Sequence, residues 1–216
     1  MHILITAGPT YEPLDPVRFL GNRSTGKMGY AIAEAFAAGG AEVTLISGPS
    51  QLPDPASPRI HTVRVETAAE MFAAAAEAAP GADVWVFAAA VADYRPAHIE
   101  AEKIKKSGDT LTLELVKNVD IAATLGQRKR PEQFAVGFAL ETTNELAHAR
   151  GKLQRKGFDL IVLNSLRDAG AGFGHDTNKV TVLDAAGQIV NFELKSKAEV
   201  ARDLVSLILA RLKQPV

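Results

Sequence analysis

Short strand-like runs alternate with helical patterns through the first ninety residues. Runs rich in apolar and β-branched residues predict buried strands at 3–7, 42–47, 60–65 and 84–90. Between the first two runs, Met28, Ile32 and Phe36 recur four residues apart, which is typical of one face of a helix. Thr67 and Glu70 have the spacing of a capping box and open an alanine-rich helical stretch. The alternation predicts an α/β fold, a Rossmann-like doubly wound sheet of mostly parallel strands with the run 84–90 near its centre.

The pattern changes after residue 100. Leu111, Leu113 and Leu115 alternate with polar residues, which predicts a half-solvated strand in a flap excursion over the sheet. Further periodic segments predict strands at 134–139 and 159–163, a helix at 143–156, a hairpin at 179–194 and a closing helix at 196–212. Because no repeat or linker interrupts this series, we expect residues 1–216 to form a single domain.

Composition narrows the possible functions. Lys and Arg total 24 against 25 Asp and Glu, so a net charge of −1 argues against a surface built for nucleic acid or an anionic membrane. The sequence shows neither a membrane-length apolar run nor a signal-peptide pattern, so we expect a cytoplasmic protein. The absence of cysteine excludes disulfides, zinc–thiolate sites and a cysteine nucleophile.

Several common catalytic motifs are missing. There is no G-x-G-x-x-G fingerprint and no Tyr-x-x-x-Lys pair, which disfavours an NAD(P)-dependent reductase. The five histidines lack metal-binding spacing. The segment 21–28 nearly matches a P-loop, but Met28 stands where Ser or Thr would bind Mg²⁺.

Two segments of the first half could bind an anionic or nucleotide ligand. Ser24, Thr25 and Lys27 lie among glycines just before a predicted helix, and the N-terminus of a helix attracts anions. An ordinary capped helix would give the same pattern. Asp93 follows the predicted central strand, at the sheet edge where α/β proteins bind ligands, and could contact a ribose hydroxyl or a metal there, although a surface turn is an equal explanation.

Three later segments carry charged or amide side chains, and each segment has both a structural and a ligand-binding interpretation. The lysines of 102–106 fit either a solvated face or a flap that closes on phosphates. Asn118 and Asp120 could cap a helix or contact a base edge. Lys152 and Lys156 lie four residues apart, as in a pair that binds one polyanion, although taken alone the pair is better explained by solvation.

Taken together, the segments resemble a known family. Seven of them occur in one order: 5–10 (ITAGPT), 15–18 (DPVR), 22–29 (NRSTGKMG), 88–94 (AAAVADY), 102–106 (EKIKK), 117–121 (KNVDI) and 136–141 (VGFALE). In this order they resemble phosphopantothenate–cysteine ligase (phosphopantothenoylcysteine synthetase) of the bacterial, CTP-dependent type, over essentially the whole chain.

The resemblance implies a ligase of coenzyme A biosynthesis. Such an enzyme joins 4′-phosphopantothenate to L-cysteine through an acyl-cytidylate intermediate and releases pyrophosphate and CMP. The implied partners are CTP with Mg²⁺ held mainly by its triphosphate, the two substrates and a second copy of the chain in a homodimer. No protein ligand for the metal, no flavin, no nucleic acid and no membrane is expected.

The resemblance also assigns roles to residues. Asn22 would hold the acyl-nucleotide intermediate, Arg18 would support the same pocket, and Lys103 would reach the phosphates from a flap. The residues implied around the nucleotide are Phe87, Ala88, Ala89, Asp93, Lys103, Asn118, Val119, Asp120, Ile121, Phe138, Lys152 and Lys156. Val119 departs from the proline common in bacterial members, which bears on the preference for CTP over ATP. The alternatives are a Rossmann-type reductase and a non-catalytic nucleotide sensor.

Overall fold

An eight-stranded sheet forms the centre of the computed structural model, which describes residues 1–106, 108–141, 143–165 and 174–213. The strands of this sheet are β1 (His2–Ala7), β4 (Glu42–Ser47), β5 (Ile60–Arg64), β6 (Val84–Phe87), β9 (Phe134–Glu141), β10 (Leu160–Ser165), β11 (Thr177–Asp184) and β12 (Ile189–Ser196). Their order is β12-β11-β10-β9-β6-β1-β4-β5. The six strands from β5 to β10 in this order are parallel, and the final hairpin is antiparallel.

In the part of the chain that the structure describes, five α-helices cover the two faces of the sheet. They are α1 (Lys27–Ala38), α2 (Ala68–Ala78), α3 (Ile121–Gly126), α4 (Glu145–Lys156) and α5 (Lys197–Leu212), with a 3-10 turn at Ala79–Gly81. Ile3 and Ile5 of β1 face the core under α1 and α5, whereas Leu4 faces the core under the other three helices. This alternation along a buried strand confirms the predicted doubly wound α/β fold with its C-terminal hairpin and helix. None of the described helices has the length and apolar character that a membrane span requires.

Two small antiparallel pairs lie outside the main sheet. The first joins β2 (Tyr11–Pro13) to β3 (Phe19–Gly21), and the second joins β7 (Tyr94–Pro96) to β8 (Leu115–Lys117). The segment 97–114 runs between β7 and β8 and is the predicted excursion.

Some predicted boundaries are wrong. The central strand ends at Phe87 rather than at residue 90, because the chain turns there into the loop that lines a cleft. The alternating leucines do not form a strand before Leu115, and Leu111, Leu113 and Leu115 are 57%, 37% and 43% exposed. An alternating pattern produces a strand only where a neighbouring strand and an apolar face are available.

Candidate active site

A cleft of about 680 Å³ opens at the carboxyl ends of the central strands. Thr6 of β1, Phe87 of β6 and Phe138 of β9 line its floor. The chain continues from β1 toward β4 on one side and from β6 toward β9 on the other, so the cleft lies where the strand order reverses. Such a reversal leaves a crevice above the sheet, which is the usual ligand site of open α/β folds.

The start of α1 forms one wall of the cleft. Gly26 caps this helix with φ +82° and without a side-chain hydrogen bond, and a Cβ on Gly29 would lie 2.5 Å from the Cβ of Ala7. The missing side chains let the first turn of α1 pack directly on the end of β1, so its amide groups meet the cleft. Ser24, Thr25 and Lys27 line the same wall, and Lys27 Nζ lies 2.6 Å from Asp176 Oδ1.

Asn22 ties this wall to the loop that follows β6. Its Nδ2 donates to the carbonyl oxygens of Ala90 at 2.9 Å and Val91 at 3.2 Å. The loop is also held from below, because the Ala92 amide donates to the buried hydroxyl of Thr10 at 3.0 Å. Asn22 is therefore fixed at the mouth of the cleft, although it is exposed to solvent.

The segment 117–121 forms the opposite wall. Asn118 Nδ2 donates to the Ala92 carbonyl at 2.9 Å, and its Oδ1 accepts from Arg95 at 3.2 Å. Asp120 accepts from the Ala123 amide at 3.0 Å and caps α3. Of the two roles that the sequence left open for Asp120, the capping role is thus present in the structure.

Lys152 and Lys156 reach the cleft from α4. Each already lies in an ion pair: Lys152 Nζ is 2.7 Å from Glu141 Oε1, and Lys156 Nζ is 2.9 Å from Asp120 Oδ2. An anionic ligand at this wall would therefore share the two amines with carboxylates. Asp93 and Asp120 are the acidic residues that line the cleft in the described part of the chain.

Most of the predicted site residues converge on the cleft. Those that line it are Asn22, Phe87, Ala88, Ala89, Asp93, Asn118, Val119, Asp120, Ile121, Phe138, Lys152 and Lys156.

Arg18 and Lys103 are not among the lining residues. Arg18 lies in the turn between β2 and β3, where it pairs with Asp15, and Lys103 is exposed in the segment between β7 and β8. The predicted placement of both side chains in the pocket is therefore not found in this conformation.

A protein-family comparison covers almost the whole chain. The family described as "DNA/pantothenate metabolism flavoprotein C-terminal domain" matches residues 1–212. The chain belongs to this family. The family-level resemblance found in the sequence motifs is thereby confirmed.

Relatives and a solved structure agree with this family. A prokaryotic protein named cysteine/cysteine sulfinic acid decarboxylase is 51% identical over 96% of this chain and 57% of its own length. The coenzyme A biosynthesis bifunctional protein CoaBC of Haemophilus influenzae is 44% identical over 98% of this chain and 52% of its own length. The chain thus spans about half the length of these relatives. The chain is also similar to a crystal structure of the C-terminal domain of a CoaBC protein. The two sequences are 42% identical, the TM-score is 0.83, and the match covers 98% of this chain and 95% of that one.

Polar residues outside every sequence motif also line the cleft of this family member: Asn164, Asn178 and Lys197. Lys197 is the first residue of α5 and is only 8% exposed, and its Nζ donates to the His175 carbonyl at 2.5 Å. Burial lowers the pKa of the Lys197 amine, and the nearby Lys27 lowers this pKa further. A lysine at a helix N-terminus opposes the helix dipole, and that was the available signal in the sequence.

Proposed function

We propose that this chain is a phosphopantothenate–cysteine ligase of coenzyme A biosynthesis. The observation that carries the proposal is the convergence of Asn22, the loop 87–93 and the segment 117–121 on one cleft at the strand-order reversal. These are the segments that the sequence resemblance assigns to the acyl-nucleotide, and they lie far apart in the chain. The similarity to the CoaBC C-terminal domain supports the same reaction.

The proposed reaction has two steps. A carboxylate oxygen of 4′-phosphopantothenate attacks the α-phosphorus of CTP, the bond between the α- and β-phosphates breaks, and pyrophosphate leaves. The amino group of cysteine then attacks the acyl carbon, and CMP leaves with the electron pair of the acyl–oxygen bond while the amine loses a proton. Neither step needs a protein nucleophile, so the protein contributes orientation and charge.

The cleft offers both contributions. Asn22 Nδ2 is held at the mouth by two carbonyl oxygens, and we propose that it exchanges one of them for an oxygen of the acyl-phosphate group. Lys152 and Lys156 lie on one helix face and can exchange their carboxylate partners for phosphate oxygens. The floor residues Phe87, Ala88 and Ala89 leave room for a ribose and a base above the sheet.

The flap completes the proposed site. Lys103 is exposed in this conformation, so its predicted contact with the phosphates requires the segment between β7 and β8 to close over the cleft. Mg²⁺ is proposed to enter with the triphosphate. CTP is proposed as the nucleotide, with Asn118 to Ile121 beside the base and Val119 as the position that tests this preference. A homodimer in the cytoplasm is proposed on the same resemblance.

Pyrophosphate release tests the proposal directly. The assay contains 4′-phosphopantothenate, cysteine, Mg²⁺ and either CTP or ATP, and each component is omitted in turn. We expect release that requires phosphopantothenate, is faster with CTP, and yields the amide by mass spectrometry. Faster release with ATP would retain the reaction and refute the nucleotide assignment. Binding of CTP without pyrophosphate release would indicate a sensor and refute the ligase.

A further inference from the structure

Asp15 organises the turn between β2 and β3 through a completely buried carboxylate. Its Oδ1 accepts from the backbone amides of Val17 at 2.8 Å and Arg18 at 2.9 Å, which closes the turn locally. Its Oδ2 accepts from Arg18 Nε at 3.0 Å, from Arg18 Nη2 at 2.5 Å and from the Ile104 amide at 3.1 Å. One oxygen therefore serves the turn, and the other serves a contact 89 residues away in sequence.

That remote contact holds the flap near its middle, at Ile104. Arg18 Nη2 donates to the Ile104 carbonyl at 2.9 Å, so both backbone groups of Ile104 are bound by the Asp15–Arg18 pair. The Glu100 amide adds a hydrogen bond to the Leu14 carbonyl at 3.0 Å. Lys103, the residue proposed to reach the phosphates, immediately precedes the clamped residue.

The same hairpin carries the cleft residue Asn22. Tyr11 and Phe19 stack across β2 and β3 with ring centroids 3.8 Å apart, which stiffens the hairpin. Asn22 follows β3 directly and bonds to the loop after β6. The hairpin thus holds Ile104 of the flap at its turn and carries Asn22 at its open end.

We propose that Asp15 is a positioning residue of the ligase, whose Oδ2 clamps Ile104 of the flap to the hairpin that carries Asn22. This inference rests on the proposed function. Because Ile104 is fixed to the hairpin, the neighbouring Lys103 meets the phosphates at a set distance from Asn22. The guanidinium of Arg18 holds the pKa of Asp15 well below its usual range, so the clamp is charged throughout the neutral range.

Asp15→Asn separates the two oxygens of this carboxylate. The asparagine Oδ1 can still accept the two turn amides, whereas its Nδ2 cannot accept from Arg18 or Ile104. Hydrogen–deuterium exchange is measured for the Ile104 amide and its neighbours, and pyrophosphate release and CTP binding are measured on the same protein. Glu42→Gln is the matched control, because it removes an Arg59 ion pair from exposed residues at the opposite end of the sheet.

We expect the Ile104 amide to exchange about tenfold faster in Asp15→Asn, since a charged hydrogen bond is lost. We also expect kcat for pyrophosphate release to fall by about the same factor while the Kd for CTP changes less than twofold. Glu42→Gln should leave all three quantities unchanged. A purely structural role would instead lower the yield of folded protein and leave kcat per active site intact.

Two outcomes would overturn the inference: unchanged exchange at Ile104, or faster exchange with wild-type kcat. If Asp15→Asn does not fold, Arg18→Gln is measured instead: it removes the guanidinium contacts to Asp15 Oδ2 and to the Ile104 carbonyl, keeps the two turn amides on Asp15 Oδ1, and should also speed exchange at Ile104 and its neighbours. If the wild-type chain releases no pyrophosphate, the proposed function fails, whereas the exchange rates still decide whether the clamp exists.

Discussion

Single polar side chains fasten the loops around the cleft to one another. Asn22 bonds to two carbonyls of the loop after β6, Thr10 accepts from the amide of Ala92 in that loop, and Asn118 bonds to the Ala92 carbonyl. A loop held from three directions has little freedom left to lose when a ligand binds. Residue changes here should therefore act on turnover more than on folding.

Asn22→Ala should abolish amide formation while leaving the fold intact. Asn22 is exposed, so its removal creates no cavity, but the group proposed to hold the acyl-nucleotide is lost. The measurement is product formation alongside thermal unfolding. Asn191→Ala is the control, because Asn191 is an exposed asparagine that bonds Thr181 in the final hairpin. Wild-type turnover in Asn22→Ala would remove this residue from the mechanism.

Asp15 should make the free energy of unfolding depend on pH in the acid range. Its pKa is lowered in the folded state, so its stabilising contribution is complete above the unfolded value of about 3.9 and is lost as pH falls through the lower folded value. Urea unfolding of wild type and Asp15→Asn should show the largest difference at neutral pH and a shrinking difference below about pH 4. A difference that stays constant down to pH 2 would contradict the charged clamp.

The sequence indicated most cleft residues but not their partners. Asn22, Asp93 and Asn118 could be selected because their segments have local signals or a family resemblance. Lys197 was not selected, because its position at the start of a helix is a weak signal and its place in the cleft depends on how α5 packs across the sheet. Arg18 and Lys103 have recognisable motifs, yet their position outside the cleft follows from the contact between two segments more than 80 residues apart.

At the scale of elements, close packing between α3 and α4 sets one wall of the cleft. A Cβ on Gly126 would lie 1.8 Å from the Lys156 carbonyl oxygen, so the helices touch backbone to backbone. This contact places Lys156 beside Asp120 at the start of α3.

Gly126→Ala should therefore push the two helices apart. We expect a loss of about 1–3 kcal/mol in the free energy of unfolding, as for other overpacked sites, and weaker CTP binding. Gly81→Ala is the control, because a Cβ there meets nothing within 4 Å, and it should change stability by less than about 0.5 kcal/mol. Equal stability of the two variants would show that the helices separate without cost.

The flap role of Lys103 predicts that its substitution affects the rate of pyrophosphate release more than the affinity for CTP. Lys103→Gln should slow pyrophosphate release by at least about tenfold while changing the Kd for CTP less than twofold, because a closing lysine acts after docking. Single-turnover kinetics and equilibrium binding measure the two quantities. A collapse of CTP affinity with an unchanged rate at saturation would contradict the flap role.

The elements that the sequence predicted well are those with strong periodicity or caps. The capping boxes at Thr67 and Ser196 both form and begin α2 and α5. The hairpin of β2 and β3 was missed, because three-residue strands stabilised by one aromatic stack carry no periodic signal.

At the scale of the whole molecule, β12 is the end strand of the sheet, and none of the described residues forms a strand beyond it. Ile189 and Leu194 on this strand are 41% and 49% exposed, and an apolar edge strand invites pairing with a second chain. The predicted homodimer should give a solution mass of twice 23.0 kDa by light scattering, and Leu194→Glu should lower it if the hairpin contributes. A wild-type mass of 23.0 kDa at micromolar concentration would refute the dimer.

The central claim is that one cleft activates a carboxylate with a nucleotide and then transfers the acyl group. A burst experiment without cysteine tests it most directly: the chain is mixed with 4′-phosphopantothenate, CTP and Mg²⁺, and pyrophosphate and CMP are followed separately. The account predicts about one equivalent of pyrophosphate per active site at once, with CMP appearing only after cysteine is added. No pyrophosphate in this mixture, from folded chain, would contradict the account.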